Sequence, residues 1–254
     1  MLDPAERFTD RVDDYVRYRP GYPPALVEFL RRECGLAPGC DAADVGSGTG
    51  RLTELLLAAG ARVYAVEPNA AMRRAAERLL GGAPGFVNTC GRAEATGLVD
   101  ASVDLVTAAQ AFHWFDQVAS RAEFLRILRP AGVVALVWNE RDDAGSALLR
   151  DFEGFLRRFS VEYDEIDHRR TASRERLAAF FGAGGFREAE FPNRQDLDLD
   201  GLRGRYLSAS YALPRGHPRF EEALEALGEL FRRHQLDGRV RIDYRTRVYR
   251  GRPG

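Results

Sequence analysis

Asp44-Val45-Gly46-Ser47-Gly48-Thr49-Gly50 is the stretch of sequence that decides the fold. It places three glycines on alternate positions after a short strand pattern, Asp41–Val45, and a helical pattern, Arg51–Ala59, follows at once. Glycine lets the backbone approach a ligand closely because no Cβ stands in the way. The free N–H groups at the start of the next helix favour an anionic or carboxylate-like group. The stretch therefore predicts a strand-to-helix turn that holds a nucleotide-like cofactor.

Strand and helix patterns alternate through the first half of the chain, which is typical of a parallel sheet built from βαβ units. The further strands predicted there are Arg62–Val66, Phe86–Cys90, Val103–Ala108 and Val133–Trp138. The helices predicted there are residues 23–33, Arg51–Ala59, Ala70–Leu80 and Val118–Leu128.

The second half of the chain has a different pattern. Arg239–Arg250 alternates strictly, with apolar residues on one face and arginines on the other, as in a half-buried antiparallel strand. Phe186–Phe191 is a further predicted strand. The helices predicted in this half are Ser146–Phe159, Arg174–Phe181, Leu199–Tyr211 and Phe220–His234.

Together these patterns predict an α/β fold with a Rossmann-like, seven-stranded, mostly parallel sheet that contains one antiparallel strand. We expect helices on both faces of the sheet and a helical cap formed by the C-terminal insertions, over the edge where such sheets bind ligands. We expect one compact domain, with the cofactor-binding core and its N-terminal covering segment in residues 1–139 and the rest of the sheet and the cap in residues 140–254.

The composition is typical of a soluble globular protein: 254 residues, 45% hydrophobic and 30% charged, with a net charge of −1. The balanced charge argues against nucleic-acid binding, which normally requires a basic surplus. No apolar run approaches the roughly 18 residues of a membrane span, and the N-terminus has no apolar signal segment. Three cysteines without paired spacing are typical of a reducing compartment. We expect a cytoplasmic protein, monomer or homodimer, without a metal, a membrane or a nucleic-acid partner.

The glycine spacing differs from that of a dinucleotide-binding turn, which reads Gly-x-Gly-x-x-Gly. Here the third glycine, Gly50, comes one residue early, and Arg51 occupies the expected place. Glu67 ends the second predicted strand about twenty residues after Gly46, where a carboxylate can accept both hydroxyls of a ribose. A helix-capping role for Glu67 before Pro68 is the alternative.

Several further segments, taken together with their order along the chain, resemble the class I S-adenosylmethionine-dependent methyltransferases. The resemblance is in particular to the type 11 group near the trans-aconitate methyltransferases. The resemblance covers most of residues 8–140, and from about residue 140 onward it is slight. Besides the glycine stretch it is carried by Tyr15–Pro23, Val63–Asn69 with Met72, Gly91–Glu94 with Leu98, Ser102–Val106, Gln110–Phe115 and Leu128–Gly132. It implies transfer of the methyl group of S-adenosyl-L-methionine to a small-molecule acceptor by in-line displacement.

The resemblance also implies a set of cofactor-binding residues. Glu67 would hold the ribose, Asp44 would bind the methionine amino group through water or cap the turn, and Met72 would pack on adenine or simply fill the core. Tyr15 and Arg19 would close over the methionine carboxylate, which an arginine can pair with bidentately, or would form a surface turn. The full set is Tyr15, Arg19, Asp44, Gly46, Ser47, Gly48, Gly50, Glu67, Pro68, Met72, Arg92, Ala93, Glu94, Gln110 and Ala111.

The acceptor is expected beside the ends of the fourth and fifth strands. His113 is the candidate catalytic base because imidazole titrates near neutral pH; an orienting hydrogen-bond donor is the alternative. The residues expected in the substrate pocket are His113, Trp114, Trp138, Asn139 and Arg141. Cap arginines that are candidates for binding a carboxylate are Arg141, Arg170, Arg203 and Arg205, although arginine is the only cationic side chain in the chain.

Two other functions are compatible with a glycine-rich turn at the edge of such a sheet. One is a nicotinamide-dependent oxidoreductase, against which the early third glycine argues. The other is a non-catalytic binding module that has kept the cofactor fold.

Overall fold

A seven-stranded sheet forms the centre of the protein in the computed structural model, which describes residues 11–142, 146–161, 163 and 173–254. Its strands are β1 Asp41–Val45, β2 Arg62–Val66, β3 Phe86–Thr89, β4 Val103–Ala109, β5 Leu128–Arg141, β6 Arg187–Leu197 and β7 Val240–Gly251. They lie in the order β3-β2-β1-β4-β5-β7-β6. Neighbours from β3 to β5 are parallel, whereas β7 is antiparallel to both β5 and β6. The predicted mostly parallel sheet with one antiparallel strand is confirmed.

Helices cover both faces of this sheet, as predicted. They are α1 Val12–Tyr18, α2 Pro24–Cys34, α3 Arg51–Ala58, α4 Ala70–Leu80, α5 Gln117–Ile127, α6 Ala147–Arg158, α7 Arg174–Phe181, α8 Leu199–Leu207 and α9 Phe220–His234. One face is covered by α2 and α3, and the opposite face by α5 and α7. In the described part of the chain no helix is long and apolar enough to cross a lipid bilayer.

The middle of β5 is apolar because both of its faces are buried. Its residues Val134–Trp138 are each at most 1% exposed. Alternate side chains of a strand point to opposite faces, so Val134 and Leu136 pack with α5 and α7, whereas Ala135 and Val137 pack with α2. This continuous burial explains why the strand was predictable as an unbroken apolar run.

The predicted helical cap is formed by α6, α8 and α9, which pack against the start of β7. Its core is rich in aromatic rings: Phe155 lies edge-on to Tyr206 at 5.1 Å, and Phe152 stacks on Phe155 at 5.9 Å. The division of the chain at residue 139 stays a prediction.

Two elements of the second half differ in length from the predictions. β6 continues to Leu197 because it pairs with β7 over its whole length; it is an edge strand, where polar residues and Pro192 are tolerated. α8 ends at Leu207, not at Tyr211, and the Ser208 hydroxyl donates to the Arg205 carbonyl at 2.9 Å. Local propensity alone does not reveal either boundary.

Helix α1 was not predicted from the sequence as a helix, and its position depends on contacts with α8. The Tyr18 ring lies directly over Gly204. The Arg11 guanidinium donates to the carbonyls of Leu207 and Ala209 at 3.1 and 3.0 Å. The N-terminal segment is therefore attached to the cap, although nearly 200 residues separate them in sequence.

Substitution of Gly204 by alanine is expected to destabilise the protein, because a Cβ there would lie 2.0 Å from the Tyr18 ring. Overpacking of this kind costs about 1 to 3 kcal/mol, more than the helix propensity that alanine adds. The matched control is Gly154→Ala in α6, where a Cβ would meet open space. This substitution should stabilise the folded protein by about 0.5 to 1 kcal/mol. Urea unfolding measures both; equal stabilisation by the two substitutions would contradict the packing of α1 on α8.

Candidate functional site

The sheet has a switch point between β1 and β4. The chain leaves β1 toward β2 and β3 on one side, whereas β4 and β5 lie on the other side. Open α/β sheets bind ligands in the crevice beyond the carboxyl ends of the strands at such a point. The residues that follow β1, β2 and β4 there are Gly46, Glu67 and Gln110.

The glycine turn after β1 has two glycines that face this crevice. Gly46 and Gly48 have φ angles of 69° and 58°, in the left-handed region that favours glycine. A Cβ on Gly46 would lie 2.5 Å from the Ala111 Cβ, and one on Gly48 would lie 3.9 Å from the Tyr15 hydroxyl. A side chain at either position would fill the crevice, so the absence of one keeps it open.

Gly50 has a different role from the one predicted. Its φ angle is 87°, and a Cβ there would lie 2.5 Å from Leu80 Cδ1 on α4. The glycine is needed for the turn into α3 and for close packing of α3 against α4. Gly50 is not among the residues that line the crevice, so the structure does not support its predicted place beside the cofactor.

Glu67 lies at the tip of β2 and lines the crevice. Its side chain accepts hydrogen bonds from the backbone N–H groups of Gly48 at 3.0 Å and Asn69 at 2.8 Å. Burial raises the pKa of this carboxyl, and the two N–H groups oppose the shift. Glu67 therefore fixes the glycine turn and presents a hydrogen-bond acceptor to the crevice at the same time.

Asp44 lies beneath the turn, not in the crevice. It is 1% exposed and accepts hydrogen bonds from the hydroxyls of Thr53 at 2.7 Å and Thr107 at 2.8 Å. Burial raises the pKa of its carboxyl, against the effect of the two hydroxyls. The alternative reading of Asp44 as a structural carboxylate of the turn agrees with this geometry. Ser47 likewise lies outside the residues that line the crevice.

We call this crevice the Glu67 cleft; its volume is about 130 Å³. It is lined by Tyr15, Gly46, Gly48, Glu67, Pro68, Asn69, Met72, Arg92, Ala93, Glu94, Ala109, Gln110, Ala111, Trp114 and Phe115. All the predicted cofactor residues are therefore brought together here except Arg19, Asp44, Ser47 and Gly50. The sequence reasoning missed Asn69 and Ala109 as lining residues.

A second cavity, which we call the Arg205 cavity, adjoins the Glu67 cleft and has a volume of about 60 Å³. It is lined by Tyr15, Arg19, Pro20, Tyr22, Arg51, Gln110, Asn139, Glu140, Arg141, Tyr163, Arg205, Tyr211 and Tyr244. Tyr15 and Gln110 line both spaces. The cleft and the cavity therefore adjoin at these two residues, which we call the shared wall.

Gln110 in this wall has an unusual backbone conformation. Its φ angle is 57°, which residues other than glycine seldom adopt. The backbone N–H donates to the Val137 carbonyl at 2.9 Å, and the side-chain amide donates to the Asn139 carbonyl at 3.2 Å. Such strain persists where the surroundings hold the residue in place, and it is common at functional sites.

The five residues expected in the substrate pocket are divided among three places. Asn139 and Arg141 line the Arg205 cavity, whereas Trp114 lines the Glu67 cleft. Trp138 is 1% exposed, with Phe112 edge-on to its ring at 6.1 Å. Its prediction as a pocket residue is wrong, because consecutive residues of β5 point to opposite faces of the sheet.

The fifth, His113, lines neither the cleft nor the cavity. It lies in a single 3₁₀ turn, Phe112–Trp114, with its ring 4.6 Å from the Trp114 ring. This position does not support the predicted role as a base that acts on a ligand between the two spaces.

Arg19 lines the Arg205 cavity and not the Glu67 cleft, which corrects its expected place. Its guanidinium lies 5.0 Å from the Tyr15 ring centre and donates to the Ser208 carbonyl at 2.8 Å. The residue is thus held by the loop after α8, a partner that no motif in the first 140 residues reveals.

Four of the five tyrosines that line the Arg205 cavity were missed, because they come from distant parts of the chain. They are Tyr22, Tyr163, Tyr211 and Tyr244, which lie at four separate places in the sequence with no common spacing. Among the cap arginines, Arg141 and Arg205 line the cavity, Arg203 lies 3.7 Å from Asp200, and Arg170 is outside the described residues.

Comparison with known proteins gives the family. Residues 43–136 match a family model described as a methyltransferase domain. An uncharacterized methyltransferase of Mycobacterium tuberculosis is 40% identical over 136 residues, 54% of this chain and 53% of that protein. The chain spans about half the length of the first curated relatives that it matches. An uncharacterized methyltransferase-like protein of Schizosaccharomyces pombe is 28% identical over 246 residues, 95% of this chain and 93% of that one.

The solved structures extend the similarity to nearly the whole chain. A protein of Anaeromyxobacter dehalogenans, assigned as a type II methyltransferase, is 30% identical and superposes with a TM-score of 0.69. The match covers 92% of this chain and 98% of that protein. With the methyltransferase domain and the seven-stranded sheet, it shows that the chain belongs to the class I S-adenosylmethionine-dependent methyltransferase family.

Proposed function

We propose that this protein transfers the methyl group of S-adenosylmethionine to a small-molecule acceptor, with the cofactor in the Glu67 cleft and the acceptor in the Arg205 cavity. The observation that carries this proposal is the shared wall of Tyr15 and Gln110, which line both spaces. Because the two spaces adjoin at these residues, a cofactor and an acceptor held in them would have their reacting groups next to each other.

The chemistry of the Glu67 cleft fits the cofactor. The Glu67 carboxylate is the acceptor that the ribose hydroxyls require, and Gly48 leaves room beside it. The backbone of Arg92 and Ala95 exchanges two hydrogen bonds of 3.1 Å, which presents the intervening Ala93 and Glu94 as a tight turn for the edge of the adenine.

The cofactor, when bound, supplies an electrophilic methyl group on a sulfonium, which a nucleophile displaces in line. The chain contributes position: α1 covers the wall through Tyr15, and Gln110 is held by two hydrogen bonds. Holding two reactants in the correct orientation can speed their reaction as much as an effective concentration of about 10⁵ M would. No histidine is among the described residues that line the Arg205 cavity, and their single carboxylate, Glu140, pairs with Arg247 at 3.3 Å. In the part of the chain that the structure describes, the proposed reaction therefore relies on positioning and on no histidine or unpaired carboxylate of the cavity.

The cofactor class is tested by thermal unfolding. S-adenosylmethionine at about 100 times its dissociation constant should stabilise the protein by about 2.7 kcal/mol, which is about 5 to 10 °C for a chain of this size. A nicotinamide dinucleotide at the same concentration should leave the midpoint unchanged. The opposite pattern would favour the oxidoreductase. Methyl transfer to no member of a broad panel of small acceptors, with normal cofactor binding, would favour the non-catalytic module.

Replacement of Glu67 by glutamine tests the ribose contact. The change keeps the shape of the side chain but removes the charge, and hydrogen bonds to charged groups are worth about 1.5 to 3 kcal/mol. We expect calorimetry to give a dissociation constant for S-adenosylhomocysteine at least tenfold weaker. Glu54→Gln, on the exposed face of α3, is the control and should leave that constant unchanged. Equal affinity for the two variants would remove Glu67 from the ribose site.

A further inference from the structure

Helix α5 is attached at two points to the turn Arg92–Ala95, which we call the adenine turn. At the start of the helix the Asp116 N–H donates to the Glu94 carboxylate at 2.9 Å. Further along the helix, the Glu123 carboxylate accepts hydrogen bonds from Thr96, the residue that follows the turn. The first three residues of the turn line the Glu67 cleft, whereas no residue of α5 does. The helix therefore holds the turn from outside the cleft.

Thr96 closes the adenine turn. The residue is fully buried, and its hydroxyl accepts a hydrogen bond from the Leu98 N–H at 3.2 Å. A Cβ on Gly91 would lie 2.6 Å from the Thr96 carbonyl oxygen, so the residues before and after the turn lie against each other. A displacement of Thr96 would therefore displace the whole turn.

Glu123 is the residue that fixes Thr96. Its Oε1 atom accepts hydrogen bonds from the Thr96 N–H at 2.8 Å and from the Thr96 hydroxyl. Arg126 donates to both oxygens of the same carboxylate, at 2.7 Å to Oε1 and 2.8 Å to Oε2. Burial acts to raise the pKa of Glu123, but the hydrogen bonds from Arg126 and Thr96 outweigh it and lower the pKa to about 2. The group is therefore a charged acceptor at neutral pH, with one oxygen bound to both donors of a single residue.

The packing of α5 does not by itself require a charged residue at this place. Glu123 is 8% exposed, and the adjacent Phe124 and the later Ile127 are fully buried among apolar side chains. Replacement of a buried ion pair by apolar side chains is often neutral or stabilising. What a carboxylate adds is direction, because hydrogen bonds to a charged group are short and strong. The carboxylate of Glu123 thus fixes where Thr96 lies.

The position of the adenine turn matters because one ligand has to meet both the turn and Glu67. The Glu67 carboxylate is fixed on the other side of the cleft by the N–H groups of Gly48 and Asn69. A turn that moves away would leave the edge of the adenine unpaired while the ribose contact persists. This step rests on the proposed function, in which S-adenosylmethionine occupies the cleft with its adenine at the turn.

We propose that Glu123 is a positioning residue for the cofactor: through Thr96 it fixes the adenine turn, so that the turn selects adenine over other bases. Glu123 itself does not touch the ligand. The turn offers backbone N–H groups as donors and the Glu94 carboxylate as an acceptor. The edge of adenine has the complementary pattern, a ring nitrogen that accepts beside an amino group that donates. Hypoxanthine has the opposite pattern, an N–H beside a carbonyl oxygen, and a turn held in one position rejects it.

The test compares S-adenosylhomocysteine with S-inosylhomocysteine, in which an oxygen replaces the 6-amino group of adenine. Calorimetry should show that the wild-type protein binds the adenine compound at least about tenfold more tightly, because the other leaves buried polar groups unpaired. In Glu123→Gln the affinity for S-adenosylhomocysteine should fall at least about fivefold, and the preference should fall to about threefold or less. The physical reason is that an amide has one oxygen and cannot accept from both Thr96 and Arg126 as the carboxylate does.

Thr96→Val is the second variant, because it keeps the size of the side chain and removes only the hydroxyl. It should lower the affinity and the preference in the same direction. The double variant with Glu123→Gln should show less than the sum of the two effects, since both remove the same contact. Thr96→Ser keeps the hydroxyl and should behave as the wild-type protein does.

Ser120→Ala is the matched control. Ser120 is also fully buried on α5, and its hydroxyl has no hydrogen-bond partner in the described part of the chain. The substitution should change neither the affinity for S-adenosylhomocysteine nor the preference for adenine.

Distinct results separate this inference from the proposed function. Failure of the wild-type protein to bind S-adenosylhomocysteine at all would overturn the proposed function. Normal binding with no preference for adenine over hypoxanthine would overturn the inference alone, because the turn would then select no base. An unchanged preference in both Glu123→Gln and Thr96→Val, whether or not the melting temperature falls, would mean that Glu123 only stabilises the fold, and this also overturns the inference.

Discussion

A buried carboxylate holds together the part of the protein on which the site depends. Asp44 in β1 accepts hydrogen bonds from Thr53 in α3 and Thr107 in β4. A carboxylate away from water is costly unless its oxygens are bonded, so these three elements keep one relative arrangement. The glycine turn lies directly above this junction, and its distance from Gln110 at the end of β4 is set by the same contacts. The openness of the Glu67 cleft follows from that arrangement.

The cleft and the cavity depend on different parts of the chain. The cleft is built mainly from the turns that follow β1, β2 and β4. The Arg205 cavity is built from α1, the end of β5, the cap and the start of β7. Contacts between the N-terminal segment and the cap bring its walls together, among them Tyr18 on Gly204 and the hydrogen bonds from Arg11 to the carbonyls after α8. The cleft and the cavity both depend on the position of α1, since its residue Tyr15 lines both spaces.

The differences between sequence-based expectation and structure have particular causes. Gly50 looked like its neighbours Gly46 and Gly48, but successive residues of a tight turn face different sides, and it faces α4. Trp138 looked like a pocket residue because it adjoins Asn139, yet the alternation of a strand sends the two side chains to opposite faces. His113 has suitable chemistry, but it lies in a 3₁₀ turn and is not among the residues that line either space. In each case the residue type suggested a role at the site, but the backbone geometry decided which side of the fold the residue faces.

The sequence by itself determined the fold class, the positions of most strands along the chain, the glycine turn and most of the residues that line the Glu67 cleft. These are properties of short segments, whose periodicity and turn chemistry act locally. Only the tertiary structure decided that α1 forms, that Arg19 faces the cap, and that arginines and tyrosines from distant segments surround one small cavity. Charge balance at that cavity depends on which side chains meet across the fold, and no spacing along the chain encodes that meeting.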